Sequence, residues 1–410
     1  MNNALASVMN YFERQRGELL IGGKKVSDLI RNESTPVYIY DRTVLKKKHQ
    51  LLRQALPEGL HIDYAVKANP NPEILKECGK WYEGFDVASI GEMRQALAAG
   101  IAPARMSFAG PGKSIEDLLE AVSSGIGTIS AESEREVEHL AAIGARLKKR
   151  IDLLIRINPA FELAKSGLKM GGGPKQFGID SERVPDLIEK YYDHKVINIR
   201  GIHIYAGSQN LNSESIVSTF ARIVDYAAGL ARVNPIKMDI VNLGGGFGIP
   251  YFPKDEELDL AAVGRGVTRV LEGARLMLPN TQFKIELGRY IVGECGLYAA
   301  KVLYRKISRE QTFVIIQGGM HHHLAASGNF GQRLVHRPMP MTIANDLNAS
   351  PEKVNVVGPL CTPLDTFGIN VELPHADEND VLVVFNSGAY GFSASPLGFL
   401  SHAHPVEIMV

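Results

Sequence analysis

Residues 61–81 read HIDYAVKANPNPEILKECGKW, and this stretch decides the fold. His61–Lys67 is a short, mainly apolar run that predicts a β-strand, whereas Pro72–Trp81 has the pattern of a helix. A polar turn separates the two segments. The stretch is therefore a strand followed by a helix, which is the repeating unit of α/β folds.

The same alternation continues along the chain as far as residue 289. We predict strands at His61–Lys67, Phe85–Ser89, Met106–Gly110, Gly127–Ser130, Ile151–Asn158, Ile199–Gly207, Met238–Gly246 and Phe283–Arg289. The helices predicted between them are Pro72–Trp81, Ile90–Ala99, Ser114–Ser124, Glu132–Arg150, Val184–Tyr192, Ser213–Arg232 and Leu258–Leu278. Eight strands alternating with helices predict a (β/α)8 TIM barrel, with a doubly wound sheet as the alternative.

Beyond about residue 290 the pattern changes to strands without helices between them. They are predicted at Tyr298–Ile307, Thr312–Gln317, Val354–Val357, Val381–Asn386 and Pro405–Val410, and they indicate a C-terminal β-sandwich or β-barrel domain. Within the first part, the Gly- and Lys-rich segment Asn158–Asp180 has the length of a functional loop.

Bulk composition narrows the class of protein. A chain of 410 residues is long enough for two domains, and its formal net charge of zero gives no field for nucleic acid or an anionic membrane. Its three cysteines suit neither a disulfide framework nor a zinc cage. No signal-like or membrane-spanning run is evident, so we expect a cytoplasmic enzyme or binding protein.

The residues with chemical potential lie at the predicted strand ends, where barrel active sites form. Lys67 closes the first strand, and a desolvated amine there would be a nucleophile able to form a Schiff base. The alternative is a lysine that merely extends its charge into solvent.

A glycine run, Gly244-Gly245-Gly246, ends the seventh strand and exposes backbone that is able to wrap a phosphate; a structural turn is the alternative. The eighth strand then offers Glu286 and Arg289. A carboxylate beside a phosphate loop and a lysine suits pyridoxal phosphate, whose ring nitrogen must stay protonated for the ring to accept electrons. A strand-end ion pair between Glu286 and Arg289 remains open.

The second part of the chain contributes further candidates. Cys361 is either a proton donor or an inert apolar residue, and Tyr390 is placed to meet a phosphate or a substrate. If the run His321–His323 is extended, only its first and last side chains share a face. We therefore predict no metal site.

Together these segments resemble the fold type III (alanine racemase-like) pyridoxal phosphate enzymes, specifically the diaminopimelate/ornithine decarboxylase group. The motifs YAVKAN, FDVASIGE, LGGGFG, ELGR and GPLC…SGAYG occur in the family's order from about residue 37 to the C-terminus. The tracts GGMHHH, NLGGGFGIPYF, GPLCTP and FLSH resemble decarboxylases of biosynthetic clusters more than they resemble the lysine-pathway enzyme, and these include the decarboxylase for carrier-bound L-glutamate in butirosin-type pathways and exosortase-associated ones.

The resemblance implies a barrel domain at 36–290 and a β domain built from 1–35 plus 291–410. It also implies the catalytic residues Lys67 and Cys361, with Cys361 donated by the other subunit of a homodimer. Acidic residues Asp86 and Glu92 would lie behind the lysine. The positions matching cofactor contacts are Lys67, Asp86, Arg156, Tyr205, Ser208, Gly244, Gly245, Gly246, Glu286, Gly288, Arg289 and Tyr390.

The chain departs from the family pattern at three places, and the third of them bears on the substrate. Tyr205 stands where the family has a histidine over the cofactor ring, and Leu287 stands where it has a proline. Thr362-Pro363 replaces the Glu-Ser that follows the cysteine in diaminopimelate decarboxylases, which removes an acid used to read that substrate. Candidate substrate-reading residues are Arg289, His321, His323, Asp365, Arg333 and Arg337.

The implied function is decarboxylation of an L-amino acid or its derivative, free or presented by an acyl carrier protein, through a Schiff base and a quinonoid. An amino-acid racemase of the same fold is one alternative, although racemases generally pair the ring nitrogen with arginine. A catalytically inactive homologue that binds pyridoxal phosphate as a regulator is the other. We expect no nucleic-acid or membrane partner.

Overall fold

The computed structural model describes residues 3–160, 168–169, 173–328 and 337–410. The chain divides into two compact units. The first, called here the barrel unit, is His49–Gly248 with Leu258–Gly288, and the second, the sheet unit, is Met1–Lys48 with Ile249–Glu257 and Arg289–Val410. The predicted domain division at 35/36 and 290/291 remains a proposal.

The barrel unit is a closed parallel (β/α)8 barrel. In chain order its eight described strands are β1 His61–Ala65, β2 Gly84–Val87, β3 Met106–Phe108, β4 Thr128–Ala131, β5 Ile151–Asn158, β6 Ile197–His203, β7 Ile240–Gly245 and β8 Gln282–Leu287. Each strand pairs in parallel with the next, and β8 returns to β1 with Glu286 opposite Asp63, which closes the barrel. The predicted barrel is confirmed.

Helices follow the first seven strands. They are α1 Pro72–Trp81, α2 Ile90–Ala98, α3 Ile115–Ser124, α4 Glu134–Leu147, α5 Val184–Tyr191, α6 Ser213–Val233 and α7 Leu260–Met277, with short 3₁₀ turns at Val66–Ala68, Pro103–Arg105 and Ser181–Arg183. The bounds of α3 have a local cause. Ser114 accepts a hydrogen bond from the backbone of Asp117, whose side chain accepts one from the Ser114 backbone, and Gly125 ends the helix in a left-handed conformation.

Several predicted strands end earlier in the structure. The first ends at Ala65, so Lys67 lies in a 3₁₀ turn and not on the strand, and β6 ends at His203 before a separate two-residue strand, Gly207–Ser208. Gly207–Ser208 pairs with the backbone of Leu168–Lys169, and Ile179–Asp180 pairs with β5. The predicted loop at 158–180 lies partly outside the described residues.

The sheet unit contains a mixed sheet. Its eight described strands are Val37–Tyr40, Gly296–Ser308, Gln311–Ile316, Met341–Ile343, Pro351–Val357, Thr366–Pro374, Val381–Val384 and Val406–Met409. The unit also contains short strands at Arg14–Gln15, Glu18–Ile21 and Lys24–Lys25, helices at Asn3–Met9, Val26–Leu29 and Arg289–Val292, and 3₁₀ turns at Phe392–Ala394 and Phe399–Ser401. The boundary between the two units falls within helix Arg42–Ala55. Buried aromatic side chains form its core, such as Tyr38 and Tyr298 with ring centroids 5.1 Å apart.

Among the described residues, none of the helices combines the length and the apolarity needed to cross a membrane.

Candidate active site

Lys67 lies in the turn that follows β1, and local bonds stabilise that turn. The hydroxyl of Tyr64 donates to the carbonyl of Asn69 at 2.7 Å, which holds the two sides of the turn together. The Lys67 side chain keeps 37 % of its exposure, and its amine lies 3.2 Å from the Asp86 carboxylate. The Lys67 side chain is therefore only partly buried and its amine pairs with a buried carboxylate, while the expected desolvation of the amine stays a prediction.

Asp86 is the buried member of this pair. It lies on β2 with 1 % exposure, and one carboxylate oxygen, Oδ1, has no hydrogen-bond partner among the described residues. Burial raises the pKa of Asp86, the Glu286 carboxylate raises it further, and Lys67 opposes both. The site therefore disfavours further negative charge and favours an added cation or hydrogen-bond donor.

The second buried carboxylate, Glu286 on β8, is held by neutral groups. It accepts a hydrogen bond from the side-chain amide of Asn242 and lies 3.5 Å from His203 Nε2. The nearby cation Lys284 is already paired with Asp63 at 2.6 Å. Within the described ranges no lysine or arginine forms an ion pair with Glu286, which leaves a buried carboxylate suited to a cationic ligand atom.

His203 on β6 is a member of this site that the sequence analysis missed. Burial, and to a smaller extent the charge of Arg156, lowers its pKa to about 3. The ring is therefore neutral, with Nδ1 3.1 Å from the hydroxyl of Ser130 and Nε2 facing Glu286. The one signal in the sequence was its position two residues before Tyr205, on the same face of an extended strand.

The glycine run bends the end of β7 against its neighbours. A Cβ on Gly245 would lie 1.8 Å from the carbonyl oxygen of Glu286, and one on Gly246 would lie 2.0 Å from that of Gly207. Gly244 has a φ of +69°, which favours glycine. Side chains at these positions would clash with the neighbouring backbone, so this turn requires glycine. Such a turn allows the backbone N–H groups to approach an anion closely.

Ser208 and Tyr205 belong to the segment beside that turn. A Cβ on Gly246 would lie 3.4 Å from Cα of Ser208. The Lys67 amine lies 5.5 Å from the centroid of the Tyr205 ring. Gly288 joins them, because a Cβ there would lie 2.6 Å from Cβ of Ala68 in the lysine turn. The structure thus brings Lys67, Tyr205, Ser208, Gly288 and the glycine run to one end of the barrel.

Arg156 on β5 is held by another buried carboxylate, which the sequence analysis did not single out. Glu132 accepts from Arg156 at 2.6 Å and from the backbone N–H groups of Gly110 and Gly178, at 2.6 and 3.2 Å. Both charged side chains are buried. Glu132 therefore orients Arg156 and also ties three segments at the same end of the barrel. Glu92, by contrast, accepts from the backbone N–H of Ala88 at 2.7 Å at the start of α2.

In the sheet unit, Arg289 lies between two tyrosines. Its guanidinium carbon is 5.3 Å from the ring centroid of Tyr251 and 4.7 Å from that of Tyr390, and it donates to the Tyr251 hydroxyl at 3.0 Å. Tyr390 has a φ of +55°, which is unusual for a non-glycine residue. Arg289 and Tyr390 were both predicted, whereas Tyr251 was missed although it lies in the quoted tract NLGGGFGIPYF.

Cys361 is exposed in the sheet unit and lies on a loop that Asp365 organises. The Asp365 carboxylate is buried and accepts backbone hydrogen bonds from Met320 at 2.6 Å and Leu360 at 2.9 Å. Glycine is needed at 358 because a Cβ there would lie 2.2 Å from that carboxylate. This geometry favours a structural role for Asp365 over the predicted role in reading the substrate.

The run His321–His323 is not extended, because its residues lie in a turn in which the backbone N–H groups of His322 and His323 both donate to the Gly319 carbonyl. His323 is buried, with Nε2 2.9 Å from the Ser387 hydroxyl, so a structural role is favoured for it as well. The ring centroids of His321 and His322 are 3.6 Å apart. Among the described residues no cluster of ligating side chains suits a metal ion.

The two predicted arginines of this part of the chain are placed differently. Arg337 packs on Phe252, with its guanidinium carbon 3.9 Å from the ring centroid. Arg333 lies outside the described residues.

Two observations test whether the barrel unit fits pyridoxal phosphate. The glycine run is a turn that a Cβ would obstruct, as a phosphate-binding loop requires. Glu286 is a buried carboxylate with neutral partners, as a protonated ring nitrogen requires. The residues present fit the group.

Comparison with known proteins agrees with this chemistry. Residues 42–293 match the family model for the pyridoxal-dependent decarboxylase, pyridoxal binding domain. The chain is 37 % identical, over 94 % of its length and 91 % of the relative's, to the L-glutamyl-(BtrI acyl-carrier protein) decarboxylase of Niallia circulans. It is 33 % identical to the 2-[(L-alanin-3-ylcarbamoyl)methyl]-2-hydroxybutanedioate decarboxylase of Staphylococcus aureus, over 93 % of this chain and 96 % of that one.

Among solved structures, the diaminopimelate decarboxylase of Helicobacter pylori in complex with L-lysine is similar over 93 % of both chains, with a TM-score of 0.83 and 28 % identity. The range matched by the family model includes the lysine turn, the glycine run and Glu286. From its fold, its site and these relatives, the chain belongs to the pyridoxal-dependent decarboxylases.

Proposed function

We propose that this decarboxylase acts on an L-amino acid joined to a larger group, such as an aminoacyl unit on an acyl carrier protein, in preference to free diaminopimelate. Two of its relatives are named for substrates of this kind, a carrier-bound glutamyl group and an alanine joined through a carbamoyl group to a hydroxybutanedioate. Because the relatives are decarboxylases, they support decarboxylation over racemisation and over an inactive regulator.

One observation carries the choice of substrate. The tip of the Cys361 loop reads Cys361-Thr362-Pro363-Leu364, and none of these side chains carries an acid. The acid that follows, Asp365, is buried and bonded to backbone N–H groups. A loop without an accessible acid has nothing to pair with the distal ammonium group of diaminopimelate, but it suits a neutral amide or thioester.

The barrel residues have separate tasks. When bound, pyridoxal phosphate supplies an aldehyde that condenses with amines and a ring that accepts the electron pair left on the α-carbon when CO2 departs. Lys67 would bear the group on its amine, which Asp86 orients across 3.2 Å. Gly244, Gly245 and Gly246 with Ser208 would hold the phosphate.

Glu286 would keep a proton on the ring nitrogen. Its orientation comes from Asn242, and neutral His203 beside it adds no competing positive charge. Tyr205, whose ring lies near the Lys67 amine, would offer an aromatic face to the cofactor ring, and Arg156, held by Glu132, would supply a fixed cation.

The remaining roles follow from the family. We propose that Arg289 and Tyr390 bind cofactor or substrate anions and that Cys361, from the partner subunit of a homodimer, donates a proton to the substrate α-carbon. Leu364 and Ile369, each 58 % exposed in the sheet unit, are apolar side chains suited to a subunit interface. Light scattering on the purified chain tests the dimer. We also propose that the protein acts in the cytoplasm and that its barrel domain comprises residues 36–290.

The substrate is tested by CO2 release from a panel. The panel contains L-glutamate, meso-diaminopimelate, L-lysine and L-glutamyl thioesters of pantetheine and of an acyl carrier protein. We expect kcat/KM to be highest for a tethered substrate. Fastest turnover of free meso-diaminopimelate would refute the proposal.

A paired variant sharpens the test. Replacing Thr362→Glu together with Pro363→Ser restores the acid of diaminopimelate decarboxylases, and it should raise turnover of diaminopimelate relative to the tethered substrate. Thr362→Ser is the matched control, since it leaves the loop uncharged. An unchanged substrate ratio in the double variant would show that this loop does not select the substrate.

A further inference from the structure

Asn242 on β7 is a fully buried polar residue that forms two hydrogen bonds within the proposed site. Its side-chain amide donates to Oε1 of Glu286, and its side-chain carbonyl accepts the backbone N–H of Gly244 at 3.0 Å. One side chain therefore contacts both the carboxylate assigned to the ring nitrogen and the first residue of the glycine run.

The strand register explains why these two groups lie within reach of one side chain. Asn242 lies opposite Lys284 and Gly245 lies opposite Glu286, so β7 uses three residues where β8 uses two. Such an extra residue is a β-bulge, which bends a strand and redirects its side chains. Asn242 closes this bulge by accepting the Gly244 N–H, and Gly244 accommodates it with a φ of +69°.

An amide suits this position because both its donor and its acceptor are used. An asparagine donates and accepts at once, whereas an ionised aspartate only accepts and a leucine does neither. An aspartate would also place a second carboxylate against Glu286. His203 Nε2 lies farther from Glu286, at 3.5 Å, so Asn242 is the stronger of these two determinants of the carboxylate's orientation.

We propose that Asn242 is a positioning residue that couples the glycine run to Glu286, so that the phosphate and the ring nitrogen of the cofactor are held in one fixed relation. The inference rests on the proposed function, in which those two elements bind pyridoxal phosphate. It assigns no contact with the cofactor to Asn242 itself.

The test compares Asn242→Asp with the matched control Asn355→Asp. Asn355 in the sheet unit is also buried, and it also donates to a side chain, Gln311, and accepts a backbone N–H, from Asn370. Loss of a hydrogen bond to a charged group predicts that Asn242→Asp weakens binding of pyridoxal 5'-phosphate by about tenfold or more. The added negative charge should also raise the pH at which the absorbance of the bound cofactor changes.

The control should lower the unfolding temperature without either effect on the cofactor. A double variant, Asn242→Asp with Glu286→Gln, restores an amide–carboxylate pair with the roles exchanged, and it should recover the unfolding temperature lost in Asn242→Asp. If the single variant does not fold, the double variant takes its place: recovered folding together with binding of pyridoxal 5'-phosphate supports the proposal, and a double variant that also fails to fold overturns it.

Two other results would overturn it: unchanged affinity and pH dependence in Asn242→Asp, or equal losses in the Asn355→Asp control. A wild-type chain that fails to bind pyridoxal 5'-phosphate would instead remove the proposed function, and this inference with it.

Discussion

Replacing Gly245 with alanine should destabilise the barrel at the junction of β7 and β8. The added Cβ would lie 1.8 Å from the carbonyl oxygen of Glu286, whereas carbon and oxygen ordinarily approach no closer than about 3.3 Å. The obstructing atom is backbone, so the strands must separate by about 1.5 Å or the turn must deform. Overpacking of this kind typically costs about 1–3 kcal/mol.

The measurement is the thermal unfolding temperature by circular dichroism, together with the dissociation constant for pyridoxal phosphate. For a unit of this size about 2 kcal/mol corresponds to a decrease of roughly 4–8 °C. The control is Gly273→Ala in α7, where an added Cβ meets nothing within 4 Å and should stabilise the helix by about 0.5–1 kcal/mol. A Gly245→Ala variant as stable as the wild type, with the same affinity for pyridoxal phosphate, would refute the steric argument.

Three further predictions concern charge and chemistry. Borohydride reduction in the presence of pyridoxal phosphate, followed by peptide mass spectrometry, should locate the adduct on Lys67. The Lys67→Ala variant should lose this adduct, whereas the control Lys80→Ala, which removes an exposed lysine, should keep it. A wild-type adduct on a different lysine contradicts the assignment. Glu132→Gln should cost about 3–5 kcal/mol, seen as a lower urea midpoint, because Arg156 keeps a buried charge without its partner; an unchanged midpoint contradicts this. Burial lowers the pKa of His323 to about 3, so below pH 6.5 the unfolded chain binds a proton that the folded chain does not, and stability should fall with pH down to about 3. At pH 5 the contribution of His323 lowers the free energy of unfolding by about 2 kcal/mol. The unfolding temperature of His323→Asn should therefore fall less than that of the wild type between about pH 7.5 and 5.

The sequence by itself determined the architecture of the barrel. The alternation of short apolar runs with helical patterns is a local property, and a count of eight such units favours a closed barrel over a doubly wound sheet, which would use fewer strands. The helix at Pro72–Trp81 has the same bounds in sequence and structure because its start is encoded locally: the Asn71 side chain accepts a hydrogen bond from the Glu73 backbone. The same local signals identified Lys67, the glycine run and Glu286 as chemistry-bearing residues.

Only the tertiary structure decided which groups meet in the barrel interior. Asn242, His203 and Glu132 lie on three different strands or strand ends, and no spacing along the chain predicts that they contact Glu286 and Arg156. Likewise, the exposure of Lys67 and the burial of Asp365 depend on neighbours distant in sequence. Strand register and tilt determine the hydrogen-bond partners across a closed sheet. Both arise only when the barrel forms, so no single segment of the sequence determines them.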